Sequence, residues 1–544
     1  MSQIIYSNTW GAAKAHFIAQ TKVANTPTLV LATDQRQADL LCNELALFNK
    51  YKLEILPFPE YLHEPFDDVR IRPDISAQRS HTLKRILEGA DAIIITTPYA
   101  IMKKLPPAES FIDSIVTLSI RQIIPQEELV ELLDKLGYLP VEVVTGAGEF
   151  CLRGGIVDLF PITAKEPIRI EYFDDEIDLL FSYNVENQKK TANVERIELL
   201  PVSELLFTSK ELSAMDLPDN IKENIDNFGK FAGHHWLVPL VYSKPAAFTD
   251  YISDSINIVM LEESWVGLFE RLWVSIVDKS ANSSIPNPTA SFIDMPEIKR
   301  YFSTKKISIV TESASDEGAI PCKYRSVKAR FAFEKGNLYY SLTQALKEIK
   351  LLQSEGLATV IAMESDRFTS LLNDFCRDHE IPLLEVGSVS QIIGAGLHLY
   401  RNRISGGFIS EADKLVLITD EEIFGFIRRR SRPKQKDSFS THISDLEEGD
   451  FVVHIDYGIG IYKGLHHMTM GDIEGDYLKI IYEGEEILYV PLERISQIQK
   501  YIGIGDAKPR LASLSSANWS KLKATARSHA AKIAQDLLKL YAER

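Results

Sequence analysis

Residue groupings that could do chemistry are few in this chain, and each lacks a part. His454 and Asp456, in VHIDYG, and the adjacent pair His466 and His467 bring imidazole and carboxylate donors of the kind that bind zinc. Neither pair has a third ligand at a workable spacing, so turn-stabilising or solvated roles are expected for all four. Asp420, Glu421 and Glu422 follow the apolar run Leu415 to Thr419 as an acidic magnesium-binding box follows a strand. Such a box works with a phosphate loop of the form GxxxxGK(S/T). The turn where one would stand holds only Ala32, Thr33 and Asp34, with no glycine cradle and no phosphate lysine. The three acids therefore read as a helix amino terminus, where carboxylates meet the positive end of the dipole. No catalytic set, metal site or bound cofactor is expected.

Positioning even these groups takes several domains, because single cores stop growing well below 544 residues. Hydrophobic residues make up 45% and charged residues 25%, a globular balance that argues against disorder. A net charge of −16 gives no global attraction for nucleic acid, so any such contact must be local. Arg428, Arg429, Arg430 and Arg432 form the one dense basic run, which suits either DNA phosphates or a solvated linker. Cys42, Cys151, Cys322 and Cys376 make neither a CxxC motif nor a disulfide framework, which points to a reducing cytoplasm. With no signal peptide and no apolar run of membrane-spanning length, no membrane partner is expected.

Periodicity divides the chain. Residues 1–112 read as an α/β layer, with strands at Thr28 to Thr33 and Ala92 to Thr97 around a helix from Gln35 to Asn49. Residues 113–200 read as an inserted α+β domain with a helix from Pro125 to Leu136, and residues 201–330 as the first layer resumed. Residues 331–428 read as a small separate α/β domain and 429–445 as a flexible basic linker. A miniature barrel of about five alternating strands follows at 446–512, and 513–544 is one long amphipathic helix. The fold class expected is thus multidomain α/β and α+β, ending in a small SH3- or Tudor-like β-barrel and a helix.

Two strands carry candidate binding faces. In PIRIEYF, residues 167–173, Ile168, Ile170 and Tyr172 face one way while Arg169, Glu171 and Phe173 face the other. A solvent-facing Phe beside Arg is the composition of a protein-binding hot spot. Arg153 sits beside Gly154 and Gly155, which would let another backbone or a partner approach closely. Packing of Phe173 under a helix, with the arginines solvated or paired to Asp174, Asp175 or Glu176, would account for the same pattern. In the barrel, Leu478, Ile480 and Tyr482 alternate with Tyr477, Lys479 and Ile481. Some of the remaining apolar groups, among Ile461, Tyr462, Leu465, Met468 and Met470, either complete the core or lie outward beside an unpaired strand edge.

LPFPEYLHEPFDDVRIRPDISAQRSHTL, residues 56–83, resembles a segment that the bacterial transcription-repair coupling factors share with the excision-repair B subunit (UvrB). GEFCLRGGIVDLFPITAKEPIRIEYFDDEIDLLFSYNVENQKK, residues 148–190, is similar to their damage-recognition-partner domain. VHIDYGIGIYKG at 453–464, LYVP at 488–491 and LLKLYAER at 537–544 resemble their polymerase-interacting domain and its exit helix. The resemblance implies an amino-terminal portion: a UvrB-like module that has lost its ATPase site, a spacer and a polymerase-binding barrel. The translocase motor, which would hold ATP and magnesium and make most of the DNA contact, would be absent. It implies a monomeric, non-enzymatic adaptor for two partners. Arg153, Arg169 and Phe173 would contact the excision-repair A subunit (UvrA). Lys463, Leu465, His467, Met468 and Met470 would face the RNA polymerase β subunit. The alternatives are an active UvrB-like superfamily-2 DNA-dependent ATPase and a transcription regulator that binds polymerase only.

Overall fold

The structure, a computed structural model, describes residues 2–425 apart from 50–52, 62–64, 67–70, 186, 229, 231–232, 282–286, 313–317, 335–336 and 393. It further describes 449–500, apart from 455–457, 471–472, 484–485 and 492–497, together with residue 511. The expected basic linker and terminal helix lie outside the described residues. Two compact units are resolved by their contacts, Met1–Ile427 and Arg428–Arg544.

In the first unit seven strands form a parallel sheet. Their order is Ile320–Pro321, Ser2–Ser7, Lys306–Val310, Asn257–Met260, Thr28–Leu31, Ala92–Thr96, Glu54–Phe58. Four of these strands precede residue 112 and three follow residue 256, so the chain leaves this layer and returns to it. Parallel sheets are covered on both faces, and the side chains alternate to match. Leu29, Leu31, Ile94, Ile258 and Ile307 enter one core with Phe58, Trp265, Phe269 and Phe302. Val30, Ile93, Ile95, Val259 and Val310 enter another with the helices Ala13–Thr21 and Gln35–Phe48. Asp34 caps the second helix by accepting from the Gln37 amide at 2.8 Å, which sets a carboxylate at that amino terminus.

A mixed sheet covers the opposite side of the same two helices. Its order is Tyr324–Ser326, Phe408–Ser410, Leu415–Thr419, Ala358–Ala362, Leu397–Tyr400, Leu383–Glu385. Val360, Ala362, Tyr400, Phe408 and Leu417 share the helices' core, while Ile361, Leu399, Val416 and Ile418 pack on the helices Leu338–Ser354 and Asp366–Asp378. The segment expected as a separate domain at 331–428 is therefore not separate, and its sheet takes its first strand from Tyr324–Ser326, ahead of residue 331. The reason is that Ala13, Ala15, His16 and Ile18 are all buried, so this helix is covered on more than one side. A Cβ on Gly11 (φ +51°) would lie 2.5 Å from the Gly406 carbonyl oxygen, so only glycine permits this approach of the two layers. Nearby, the buried Glu44 accepts from the Ser405 amide at 2.6 Å, and burial pushes its carboxyl up to about 7. Asp420–Phe424 is a short helix capped reciprocally by Thr419 and Glu422, so Asp420, Glu421 and Glu422 do form a helix amino terminus.

Between the halves of the first layer stands a six-stranded sheet, ordered Lys190–Asn193, Glu176–Tyr183, Ile168–Phe173, Ile156–Leu159, Glu149–Arg153, Leu139–Pro140. The helix Gln126–Leu136 buries Leu129, Leu133 and Leu136 against Phe150, Val157, Ile168, Ile170 and Ile177, and ends at Gly137 in the left-handed region. A ribbon of Val116–Ser119 with Arg196–Leu199 closes the neck. The helix Pro73–Leu87 anchors the segment that follows the neck. Ser80 Oγ donates to the Pro201 carbonyl at 2.6 Å, and Arg79 Nε to Glu204 Oε1 at 2.8 Å. Lys103 Nζ lies 2.7 Å from Glu204 Oε2. Burial alone would raise the Glu204 carboxyl, but Arg79 and Lys103 outweigh it and hold the group down at about 2.

In the second unit five strands pair antiparallel in the order Ile487–Pro491, Ile473–Ile481, Gly458–Met470, Phe451–His454, Ile498–Lys500. Its core is Val452, Tyr462, Leu478, Ile480, Tyr482, Val490 and Ile498.

Candidate partner-binding faces

The alternation in Ile168–Phe173 places its two sets of side chains on opposite faces of the inserted sheet. Ile168 and Ile170 are buried, Tyr172 is half-buried, and Phe173 is 77% exposed. The antiparallel register puts Arg169 between Asp158 and Phe181, and Glu171 between Ile156 and Leu179. Asp158 in turn faces Cys151, and Ile156 faces Arg153. Residues paired in this way share a face, so Arg153, Arg169 and Phe173 all lie on the side away from the helix Gln126–Leu136. Phe173 stands about 13 Å along the strand from Arg169, at about 3.3 Å per residue.

The arginines are held in place. Arg169 donates from Nε and Nη2 to the two carboxylate oxygens of Asp158 at 2.7 and 2.8 Å, and from Nη2 to Gln188 Oε1 at 3.1 Å. Its guanidinium lies 4.8 Å from the centre of the Tyr183 ring. The bonds to Asp158, itself 2% exposed, keep Arg169 above its ordinary range. Pairing with Asp174, Asp175 or Glu176, which the sequence left open, is thus replaced for Arg169 by a cross-strand partner. Arg153 donates from Nη2 to the Glu142 carbonyl at 2.7 Å and sits 3.3 Å from Cys151 Sγ. Gly154 makes the tight turn, with φ +57° and open space where a Cβ would stand. Asp158, Glu142 and Tyr183 were missed in the sequence. An Asp and an Arg eleven residues apart carry no signal until the hairpin register is known.

In the second unit Lys463 and Leu465 are exposed, the latter by 41%. Tyr462, one of the groups that could have lain outward, is in the core. Backbone pairs join Leu465 to Leu478, His467 to Asp476, Met468 to Gly475 and Met470 to Ile473, with an irregularity between Tyr462 and Leu465. The side chains of 467–470 lie outside the described residues. Among the described pairings, Phe451–His454 flanks the same strand only from 458 to 461, so 463–470 is paired along one edge. His454 is buried on its strand, and His466 is exposed with its ring 6.3 Å from that of Tyr489. Asp456 lies outside the described residues. Among the described residues no three His, Cys, Asp or Glu side chains gather as metal ligands, and no helix is long and apolar enough to cross a membrane.

Two family models match this chain in the places just described. The UvrB interaction domain matches residues 116–205, which is the inserted sheet with its helix and neck, and the CarD-like/TRCF RID domain matches 446–502, which is the five-stranded sheet. A chain carrying these two domains in this order is a multidomain protein. The likeness extends well beyond the two domains. The chain is 28% identical to the transcription-repair-coupling factor of Bacillus subtilis over 98% of its own length and 48% of that protein, and 26% identical to that of Staphylococcus aureus over the same shares. It spans about half the length of the curated relatives it matches, and corresponds to that much of a transcription-repair-coupling factor.

Proposed function

We propose that this chain is a two-ended adaptor that brings the excision-repair A subunit to RNA polymerase stalled on damaged template DNA. The observation that carries the first end is an exposed Phe173 on the same open sheet face as an arginine fixed by a buried carboxylate. Anchors of this kind, an aromatic and a held guanidinium, dominate binding energy at protein interfaces. The matched description, UvrB interaction domain, supports the assignment of this face to excision repair. Arg153, Arg169 and Phe173 are the contacts proposed.

The second end is the five-stranded sheet, and the partner proposed for it is the polymerase β subunit. Lys463, Leu465, His467, Met468 and Met470 lie on the segment paired along one edge, where a partner strand could add. Met468→Arg should abolish polymerase capture, because the cation would enter the contact without a counter-ion. Full capture by that variant would remove the placement. The chain works in the cytoplasm as a monomer and turns over no nucleotide in this reading. ATP, magnesium and most DNA contact belong to other parts of a whole coupling factor. The carboxylate of Asp34, at the helix terminus where a phosphate would sit, supports this.

The test is a titration of the A subunit into this chain by calorimetry, with polymerase pull-down in parallel. Arg153→Ala with Phe173→Ala should weaken A-subunit binding by several kcal/mol, on the order expected for two hot spots, and leave polymerase capture unchanged. Equal A-subunit affinity in a folded double variant would refute the first end. Turnover of ATP by the chain alone would favour the ATPase reading.

A further inference from the structure

The exposed apolar surface around Phe173 is larger than its own strand. Ile168–Phe173 and Glu176–Tyr183 form a hairpin in which Phe173 pairs with Glu176 across the turn Asp174 and Asp175. On the far side of Glu176 the neck of the domain supplies an isolated bridge, Ile123 with Glu176, closed by Ile124 N to the Asp175 carbonyl at 2.9 Å and Ile177 N to the Gln122 carbonyl at 2.9 Å. Paired residues share a face, so Phe173, Glu176 and Ile123 form one cross-strand row, with Phe173 and Ile123 about 10 Å apart at two strand spacings. Ile123 is 77% exposed, as Phe173 is, and Leu179, opposite Glu171 on the same face, is 42% exposed. Large aliphatic side chains this exposed, grouped in one corner, mark an interaction site.

The charge around this corner is mostly negative, with Arg153 at the far end of the row through Glu171 and Leu179. Asp174, Asp175, Glu176 and Asp178 are exposed and Glu171 is half-exposed, against the single exposed cation Arg121 in the bridging segment. Arg169, the nearest cation on the strand, is already paired with Asp158. A surface that buried this corner would have to offer apolar cover for three side chains and positive charge for the carboxylates around them.

We infer that Ile123 and Leu179 extend the A-subunit contact beyond Phe173, and that the A subunit meets this corner with an apolar socket rimmed by lysine or arginine side chains. The inference rests on the proposed docking of that subunit to the Arg153, Arg169 and Phe173 face, with which the corner is continuous. Neck and hairpin, some fifty residues apart in sequence, would then be read together.

The experiment is calorimetric titration of the purified A subunit into the full chain at two ionic strengths. Ile123→Ala, at a largely solvent-exposed position, should melt as wild type does and bind about tenfold more weakly. Glu176→Lys with Asp178→Lys should also bind about tenfold more weakly at low salt, with the deficit shrinking as salt is raised. Asp278→Lys, an exposed carboxylate reversed near the end of the helix Trp265–Ser280 in the first layer, serves as the control and should change nothing. If Phe173→Ala weakens binding while Ile123→Ala and the double charge reversal do not, the extension is wrong and the docking face stands. If Phe173→Ala binds as wild type does, the docking face itself fails and the extension with it.

Discussion

Replacing Asp158 by asparagine separates two things that Arg169 does. The side chain of Asp158 is 3% exposed and that of Arg169 18%, and two charge-assisted bonds of 2.7 and 2.8 Å join them. Asparagine keeps the shape but offers one oxygen and no charge, so one such bond is lost, which costs about 1.5–3 kcal/mol of stability. The consequence for binding is smaller and different in kind. An Arg169 no longer held must be immobilised by its partner, at about 0.5–1.5 kcal/mol for a long side chain, which weakens the A subunit's affinity by about two- to twelvefold. Arg169→Ala, which removes the contact itself, should weaken it by 2 kcal/mol or more, about thirtyfold. The assay is a double-mutant cycle by calorimetry, with thermal melts of each variant. Asp158→Asn should fall between wild type and Arg169→Ala in affinity, and add nothing in the Arg169→Ala background. If Asp158→Asn weakens binding equally in both backgrounds, it acts on something other than Arg169, and the reading of a preorganised guanidinium is refuted.

Two further predictions concern the scaffold. Glu204→Gln leaves the buried Arg79 and Lys103 without their counter-ion and should destabilise the first unit by about 3–5 kcal/mol in urea titration, with Lys103→Met recovering part of the loss; a loss under about 1 kcal/mol would refute the anchor. Glu44, held at about 7 by burial against an ordinary value of 4.5, keeps its proton better in the folded chain; its contribution to stability is therefore greatest below about pH 4.5 and declines as pH rises to 7, by at most about 3 kcal/mol. Glu44→Gln should accordingly raise the melting temperature at pH 8 and leave it near wild type at pH 5, and an equal shift at both would contradict this sign.

The sheets were legible where a strand is apolar on both faces or alternates cleanly. Thr28–Leu31, Ala92–Thr96 and Leu415–Thr419 read directly as buried runs, and Ile168–Phe173 read correctly as one buried and one open face. The shared core of the two layers was not legible. Nothing in AKAHFIAQT distinguishes a helix covered by one sheet from a helix between two, and Gly11 gives no hint that it meets Gly406. The candidate face was read as three residues, because Arg153, Arg169 and Phe173 sit in motifs with a resemblance to guide them. What holds them, Asp158 and the Glu142 carbonyl, and what extends them, Ile123, depend on strand register, which turns fix and composition does not.

The arrangement separates affinity from stability along the inserted domain. Its outer face carries Arg153, Arg169 and Phe173 on strands or at their ends, and side chains set on strands lose less freedom on binding than side chains set on loops. Its inner face and neck carry the load instead: Leu129, Leu133 and Ile170 in the core, and Glu204 with Pro201 on the helix Pro73–Leu87. Strain or damage at Glu204 should therefore lower the stability of the unit without changing the affinity of the folded fraction, whereas damage at Phe173 should do the reverse. Asp158 belongs to both sets, being buried like a core residue and bonded through two charge-assisted hydrogen bonds to a side chain of the open face. A variant series graded by stability alone would misplace it among the structural residues, and one graded by affinity alone would take it for a contact.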